Sequence, residues 1–184
     1  MRDLQATRFL IYDYMDLNVY DKILYTDYDV LFYGDVNRLF EYTDKFSCVQ
    51  EQKYIMAKNF GKLISYHKIR APKGTKGYNS GTFCFDVSYG KEMLKEIYDT
   101  FYRYEPVIHK LNDQCVFNYI VHYTERKNDI KIFPDDWYIT NPGPRGYQNL
   151  KQVSFAHYLG KKKITRMSMV LQQLLNDKKE LLVK

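Results

Sequence analysis

The stretch that most constrains the fold is a short apolar run that ends on acid. Residues 22–26, Lys-Ile-Leu-Tyr-Thr, have the content of a buried strand, and Thr26 leads straight into Asp27-Tyr28-Asp29. Side chains alternate along a strand, so a backbone that stays extended turns Asp27 and Asp29 to the same side. Two like charges side by side are unfavourable unless a cation or a proton offsets them. In open α/β sheets, strand ends are where ligands bind. A hard divalent ion with oxygen ligands is the natural occupant of such a pair. A solvated turn at a strand end would carry the same text, with Asp13 and Asp16 already nearby, and D-x-D alone does not choose between the two.

Elsewhere strands alternate with helices. A helix is expected over residues 4–15, with Leu4, Arg8, Ile11 and Met15 on one face. Gly34 and Asp35 make a turn, and Asp35 is placed to cap a short helix through Leu39 and Phe40. Strands are expected over 46–50, 82–87, 130–133 and 153–157. A helix over 91–104 sets Leu94, Ile97, Tyr98 and Phe101 on one face. A second runs from Asp113 to Tyr123 with Asn112 as its N-cap. A last amphipathic helix over 165–182 puts Met167, Val170, Leu171, Leu174 and Leu175 on its apolar side.

Pro142, Gly143, Pro144 and Gly146 mark a long loop. Residues 57–78 read as a basic loop, with Lys58, Lys62, Lys68, Arg70, Lys73 and Lys76 among Gly61, Pro72, Gly74 and Gly77. Such a loop is solvated surface or a flap over an acceptor or a phosphate. The alternation implies an α/β sandwich, and the length suits one domain over residues 1–184.

Hydrophobic residues make up 45% of the chain, enough for a packed core. The net charge of +6 attracts phosphate, whether on nucleic acid, lipid or a nucleotide sugar. No basic helix is interleaved with aromatics, so nucleic acid is not an expected partner. Cys48, Cys84 and Cys115 are far apart with no C-x-x-C pair, which argues against a zinc site or disulfide framework and suits a reducing compartment. No apolar run approaches the ~20 residues of a membrane span, and Met-Arg-Asp-Leu-Gln is not a signal peptide, so a cytoplasmic location is expected.

Three further motifs carry chemistry. In His157-Tyr158-Leu159-Gly160-Lys161-Lys162-Lys163 a strand ends on an imidazole able to complete a carboxylate metal site. Gly160 permits close backbone approach to a diphosphate, and Lys163 or a neighbour can neutralise one of its oxygens. Asn79-Ser80-Gly81 places small polar groups at the mouth of a strand, suited to sugar hydroxyls. Asp113-Gln114 opens a helix, where an acid is a dipole partner or, aimed at a ligand, a sugar contact. Each has a plain structural reading as well: a basic turn, an ordinary turn, a helix start.

In this order the motifs closely resemble glycosyltransferase family 8, the family of glycogenin and the lipooligosaccharide galactosyltransferases. The flanking text agrees: Tyr20-Asp21-Lys22-Ile23-Leu24-Tyr25 before the D-x-D, Gly34-Asp35 and Leu39-Phe40 after it. The resemblance runs from about Thr7 to Lys163. It implies a GT-A fold, a mixed central sheet flanked by helices, with a UDP-sugar donor and Mn2+ (or Mg2+). On it, Asp27, Asp29 and His157 match the metal ligands, and Gly160 and Lys163 the diphosphate contacts. Asn79, Ser80, Asp113 and Gln114 match donor-sugar contacts, joined more loosely by Arg8. Asp113 and Gln114 are the candidate catalytic pair, with Gln114 beneath the sugar. The expected reaction is retaining hexose transfer to a hydroxyl of a glycan, protein or lipid.

Only 26 residues precede Asp27, where the family places a complete βαβ unit with the nucleotide-base pocket, so an N-terminally truncated domain is expected. An inner strand would then become a sheet edge. One alternative is a non-catalytic, degenerate transferase module that binds a partner or a glycan. Another is a metal-dependent nucleotidyl- or phosphotransferase. Lys178, Lys179 and Lys184 beside leucines would allow weak contact with an anionic membrane surface, though an ordinary helix end reads the same.

Overall fold

The structure is a computed structural model, and it describes residues 6–56, 60–140, 142, 150, 153–158 and 162–182. In chain order the strands are β1 (Lys22–Thr26), β2 (Val30–Phe32), β3 (Phe46–Tyr54), β4 (Lys76–Asp86), β5 (Ile130–Ile132), β6 (Tyr138–Thr140) and β7 (Phe155–His157). The α-helices are α1 (Ile11–Tyr14), α2 (Asn37–Tyr42), α3 (Lys62–Tyr66), α4 (Val87–Tyr104), α5 (Asp113–Tyr123) and α6 (Lys163–Leu182). The chain divides into two compact units, Met1–Tyr25 with Leu39–Phe133, and Thr26–Arg38 with Pro134–Lys184.

The first unit is built on a mixed sheet in the order β1-β4-β3-β5. β3 runs antiparallel to β4 and parallel to β5. Phe46, Phe83, Phe85 and Phe117 fill its core; the Phe46 and Phe83 rings stack at 5.3 Å and Phe83 lies 6.1 Å from Phe117. Each such ring, fully buried, contributes roughly 1.5–3 kcal/mol.

Helix α4 starts where the Asp86 carboxylate accepts from the Ser88 and Tyr89 N–H groups, and it buries Met93, Leu94, Ile97 and Phe101. Gly90 lets its first turn lie on the Phe85 ring, since a Cβ there would meet Phe85 Cδ2 at 2.0 Å. Helix α5 is capped as expected, with Asn112 Oδ1 accepting from Cys115 N–H at 2.9 Å. Lys22 closes the end of α2 by donating to the carbonyls of Phe40 (2.8 Å) and Thr43 (2.6 Å).

The second unit holds a smaller sheet, β2-β7-β6, with β7 antiparallel to β2 and parallel to β6. Its core is Leu150, Val153, Ala156, Tyr158 and Val170, with Met167 packed against it. Asp35 Oδ1 accepts from Asn37 N–H at 2.9 Å, the capping role expected of it.

Several expectations change. Residues 7–14 form a 3-10 turn, Thr7–Leu10, followed by the four-residue α1; Ala6 and Phe9 are buried while Met15 is exposed, and Leu4 lies outside the described residues. The basic segment contains α3, because the apolar pair Leu63-Ile64 is buried there, and β4 begins within it at Lys76. Lys58 lies outside the described residues. On α6, Val170 is buried but Leu171 and Leu175 are exposed; the side chain of Leu174, the long loop apart from Pro142, and Lys184 lie outside the description. Strands β2 and β6 were not expected, since three residues are too short to show an alternating pattern.

No disulfide joins Cys48, Cys84 and Cys115; all three are buried, and burial pushes each thiol pKa up. Among the described residues no helix is long and apolar enough to cross a membrane.

Candidate active site

In the second unit, the two aspartates do not sit on one extended strand. β1 ends at Thr26, β2 starts at Val30, and Val30 N–H closes a turn onto Asp27 O at 3.2 Å. Tyr28 is thrown outward, three-quarters exposed, while Asp29 is buried. The carboxylates therefore approach one another through a turn and not through strand alternation.

β7 supplies the third group. Val30 pairs with His157 in the β2–β7 ladder, and Tyr158 N–H donates to Asp29 O at 2.9 Å, so backbone pairing fixes His157 against the acid. Candidate ligand atoms of Asp27, Asp29 and His157 all lie within 4.8 Å of one another. His157 Nε2 is 3.2 Å from Asp29 Oδ1, and His157 Nδ1 is buried without a hydrogen-bond partner.

Lys163, on the first turn of α6, donates to Asp29 Oδ2 at 2.6 Å and lies 4.2 Å over the Tyr28 ring. Burial alone would raise the Asp29 pKa; the hydrogen bonds and charges of His157 and Lys163 outweigh it and hold the carboxyl down to about 2. Burial works against the Lys163 charge too, yet its bonds to Asp29 and Tyr28 leave its pKa raised. Two carboxylates, one half-buried and one buried, and a buried imidazole with one orphaned nitrogen fit a divalent cation of the manganese or magnesium type. Gly160 lies outside the described residues.

In the first unit, β4 and α5 assemble a second polar cluster. The β3–β4 register passes from Cys48↔Phe83 directly to Val49↔Asn79, so Ser80, Gly81 and Thr82 form a bulge inside β4. Bulges re-aim side chains, and this one carries the Asn-Ser-Gly motif. Ser80 Oγ donates to Asp113 Oδ2 at 3.1 Å, and Arg8 Nε lies 3.4 Å from the same oxygen. Arg8 Nη1 also donates to Ser80 O at 3.2 Å.

Asn79 Oδ1 accepts from Gly81 N–H at 2.7 Å, while Gln114 Nε2 donates to Tyr78 O at 3.3 Å. Arg8, Asn79, Ser80 and Asp113 are thus brought into one neighbourhood of this unit, with Gln114 next to Asp113 on the first turn of α5. Sequence reasoning missed Glu51, which is buried and accepts from Asn79 Nδ2 at 2.5 Å. A partial signal was present: Glu51 lies two residues after Val49 and so on the same face of the expected strand. Lys62, counted among the basic residues of the expected loop, is tied to the carbonyls of His109 and Lys110 at 2.8 and 2.5 Å.

Comparison with solved structures finds the same fold at low sequence identity. A glycosyltransferase involved in glycosylation of the major capsid of PBCV-1 matches at TM-score 0.59 and 13% identity, over 92% of this chain and 76% of that one. Galactosyltransferase LgtC, solved with donor and acceptor sugar analogs, matches at 0.58 and 15%, over 91% and 66%. Mouse xyloside xylosyltransferase 1 matches at 0.55 and 14%, over 84% and 63%. The chain thus spans just under two thirds of the length of the last two.

No curated protein matches the sequence significantly. The mixed sheets flanked by helices and these neighbours show the GT-A glycosyltransferase fold expected from the sequence. The family model "Glycosyl transferase family 8" matches residues 3–164, and the chain belongs to that family.

Proposed function

We propose that this chain transfers a hexose from a UDP-linked donor to an acceptor hydroxyl, with retention of anomeric configuration and with a divalent cation. The observation that carries this reading is the meeting of Asp27, Asp29 and His157 within 4.8 Å in the second unit, with Lys163 beside them. Membership of family 8 and the sugar-transferring names of the structural neighbours support it.

Asp27, Asp29 and His157 would hold the cation, which when bound supplies positive charge to the departing diphosphate. Lys163, three residues beyond Gly160, adds a second positive charge for the same oxygens. The anomeric carbon–oxygen bond to the diphosphate breaks with its electron pair leaving on UDP. The acceptor oxygen bonds to that carbon from the same face, and its proton passes to a diphosphate oxygen. Asn79, Ser80, Asp113 and Arg8 are assigned to the donor hydroxyls, and Gln114 to the space beneath the ring. Gln114 is too weakly basic for a nucleophile, and the neighbouring carboxylates make a metal clamp, not the flanking pair of a glycosidase.

The test is UDP release from UDP-hexoses with Mn2+, for wild type and Asp29→Ala. Wild type is expected to release UDP at least roughly 100-fold faster than the variant. Equal release from both overturns the reading. Donor binding without UDP release leaves a non-catalytic module, and pyrophosphate or phosphate in place of UDP indicates a nucleotidyl- or phosphotransferase.

A further inference from the structure

Glu51 is a buried carboxylate on β3, at the point where its pairing with β4 is interrupted. A well-packed apolar side chain would commonly stabilise such a position at least as well, because a buried charge forfeits its hydration. What Glu51 does there is hold one amide. Asn79 Nδ2 donates to Glu51 Oε1 at 2.5 Å, and Asn79 Oδ1 accepts from Gly81 N–H at 2.7 Å.

We propose that Glu51 is a positioning residue for the donor sugar, acting through Asn79; the proposal rests on the sugar-transfer reading above. A carboxylate accepts hydrogen bonds, so it draws the NH2 end of the Asn79 amide to itself and leaves the oxygen for Gly81. The reversed amide would set Asn79 Oδ1 against a Glu51 oxygen and its NH2 against the Gly81 N–H.

With both ends fixed, the amide retains one N–H and one lone pair. A sugar hydroxyl donates and accepts at once, so it complements that remaining pair. Ser80, the next residue and the first of the bulge, donates to Asp113, so the motif is held at both residues. Pre-fixed polar groups of this kind discriminate strongly, because an ill-matched hydroxyl leaves them unpaired.

The experiment is a double-mutant cycle on Glu51→Ala and Asn79→Ala, measuring Mn2+-dependent hexose transfer together with calorimetric binding of UDP-hexose and of UDP alone. Glu51→Gln, of equal volume, serves as the conservative variant, and thermal melts accompany each protein. Glu51→Ala is expected to lower kcat/KM and UDP-hexose affinity by roughly 10- to 100-fold, with UDP affinity unchanged within about twofold. In the Asn79→Ala background the same change should cost less than about twofold, and Glu51→Gln should recover much of the loss in the wild-type background.

Multiplying effects in the two backgrounds, or equal losses for UDP and UDP-hexose, overturn the proposal. If Glu51→Ala does not fold, Glu51→Met, of similar volume but unable to accept from Asn79, decides: wild-type selectivity for UDP-hexose over UDP, with wild-type discrimination among epimeric hexoses, overturns it, and relaxed discrimination supports it. A wild-type chain that neither binds nor turns over UDP-hexose defeats the sugar-transfer reading itself, an outcome distinct from an active wild type indifferent to Glu51.

Discussion

Lys163 Nζ lies 2.6 Å from Asp29 Oδ2, on the acid that also faces His157 at 3.2 Å. Both oxygens of this buried carboxylate thus already have cationic or hydrogen-bonding neighbours. A divalent ion taking Oδ2 must displace the ammonium, which is then free to meet a diphosphate.

Replacing Lys163 by Met therefore has two opposite effects. Mn2+ binding to the donor-free protein, followed by electron paramagnetic resonance, should tighten by roughly 3- to 10-fold once the competing charge is gone. Donor turnover should fall by roughly 10- to 1,000-fold, because charge stabilisation of the leaving diphosphate is lost. Unchanged or weaker Mn2+ binding would show that lysine and metal do not compete for Asp29.

His122 ties stability to pH. Its ring stacks on Tyr78 at 4.3 Å, and Nε2 is buried without a partner. Burial holds its pKa down to about 4 from 6.5, outweighing a backbone hydrogen bond at Lys76 that would raise it. Between those values the unfolded chain binds the proton and the folded chain does not, so stability rises with pH across that window and is lost as pH falls through it. The His122 contribution should be roughly 1–3 kcal/mol after solvent screening is allowed for. Urea denaturation of His122→Phe, which keeps an aromatic ring over Tyr78, should show a flatter pH profile over that range than wild type.

Asn112 links a helix cap to the candidate site, because the turn it caps carries Asp113 and Gln114. Asn112→Ala should cost about 1 kcal/mol of stability. Asn112→Asp should cost less, since a carboxylate also accepts from the Cys115 N–H. Turnover of the donor should follow the same order, measured beside thermal melts of both variants.

Gly90 tests the packing of α4 on the sheet. In an exposed helix Gly→Ala stabilises by about 1 kcal/mol. Here the new methyl would lie 2.0 Å from Phe85 Cδ2, and that ring is itself held against Phe46 at 6.2 Å. Gly90→Ala should destabilise by roughly 1–3 kcal/mol, a reversal of sign readable from a denaturation midpoint.

The helices around the site were legible because their signals are local. Asn112 caps α5 where the text placed it, and Leu94, Ile97 and Phe101 line the buried face of α4. The chemistry-bearing residue types were legible as well. Asp27, Asp29 and His157, separated by up to 130 positions, were named together on the strength of motif order, and the structure places their ligand atoms close to one another.

What the local text could not contain is how those groups meet. The aspartates converge through a turn closed by Val30, and His157 arrives because β7 pairs with β2. Glu51 acquires its partner only through the bulge that breaks the β3–β4 register. Caps and periodicity arise from neighbours a few residues apart, so they can be read along the chain. Three-residue strands, bulges and buried polar pairs exist only when a distant strand supplies the missing hydrogen bonds, and that pairing was decided by the tertiary structure alone.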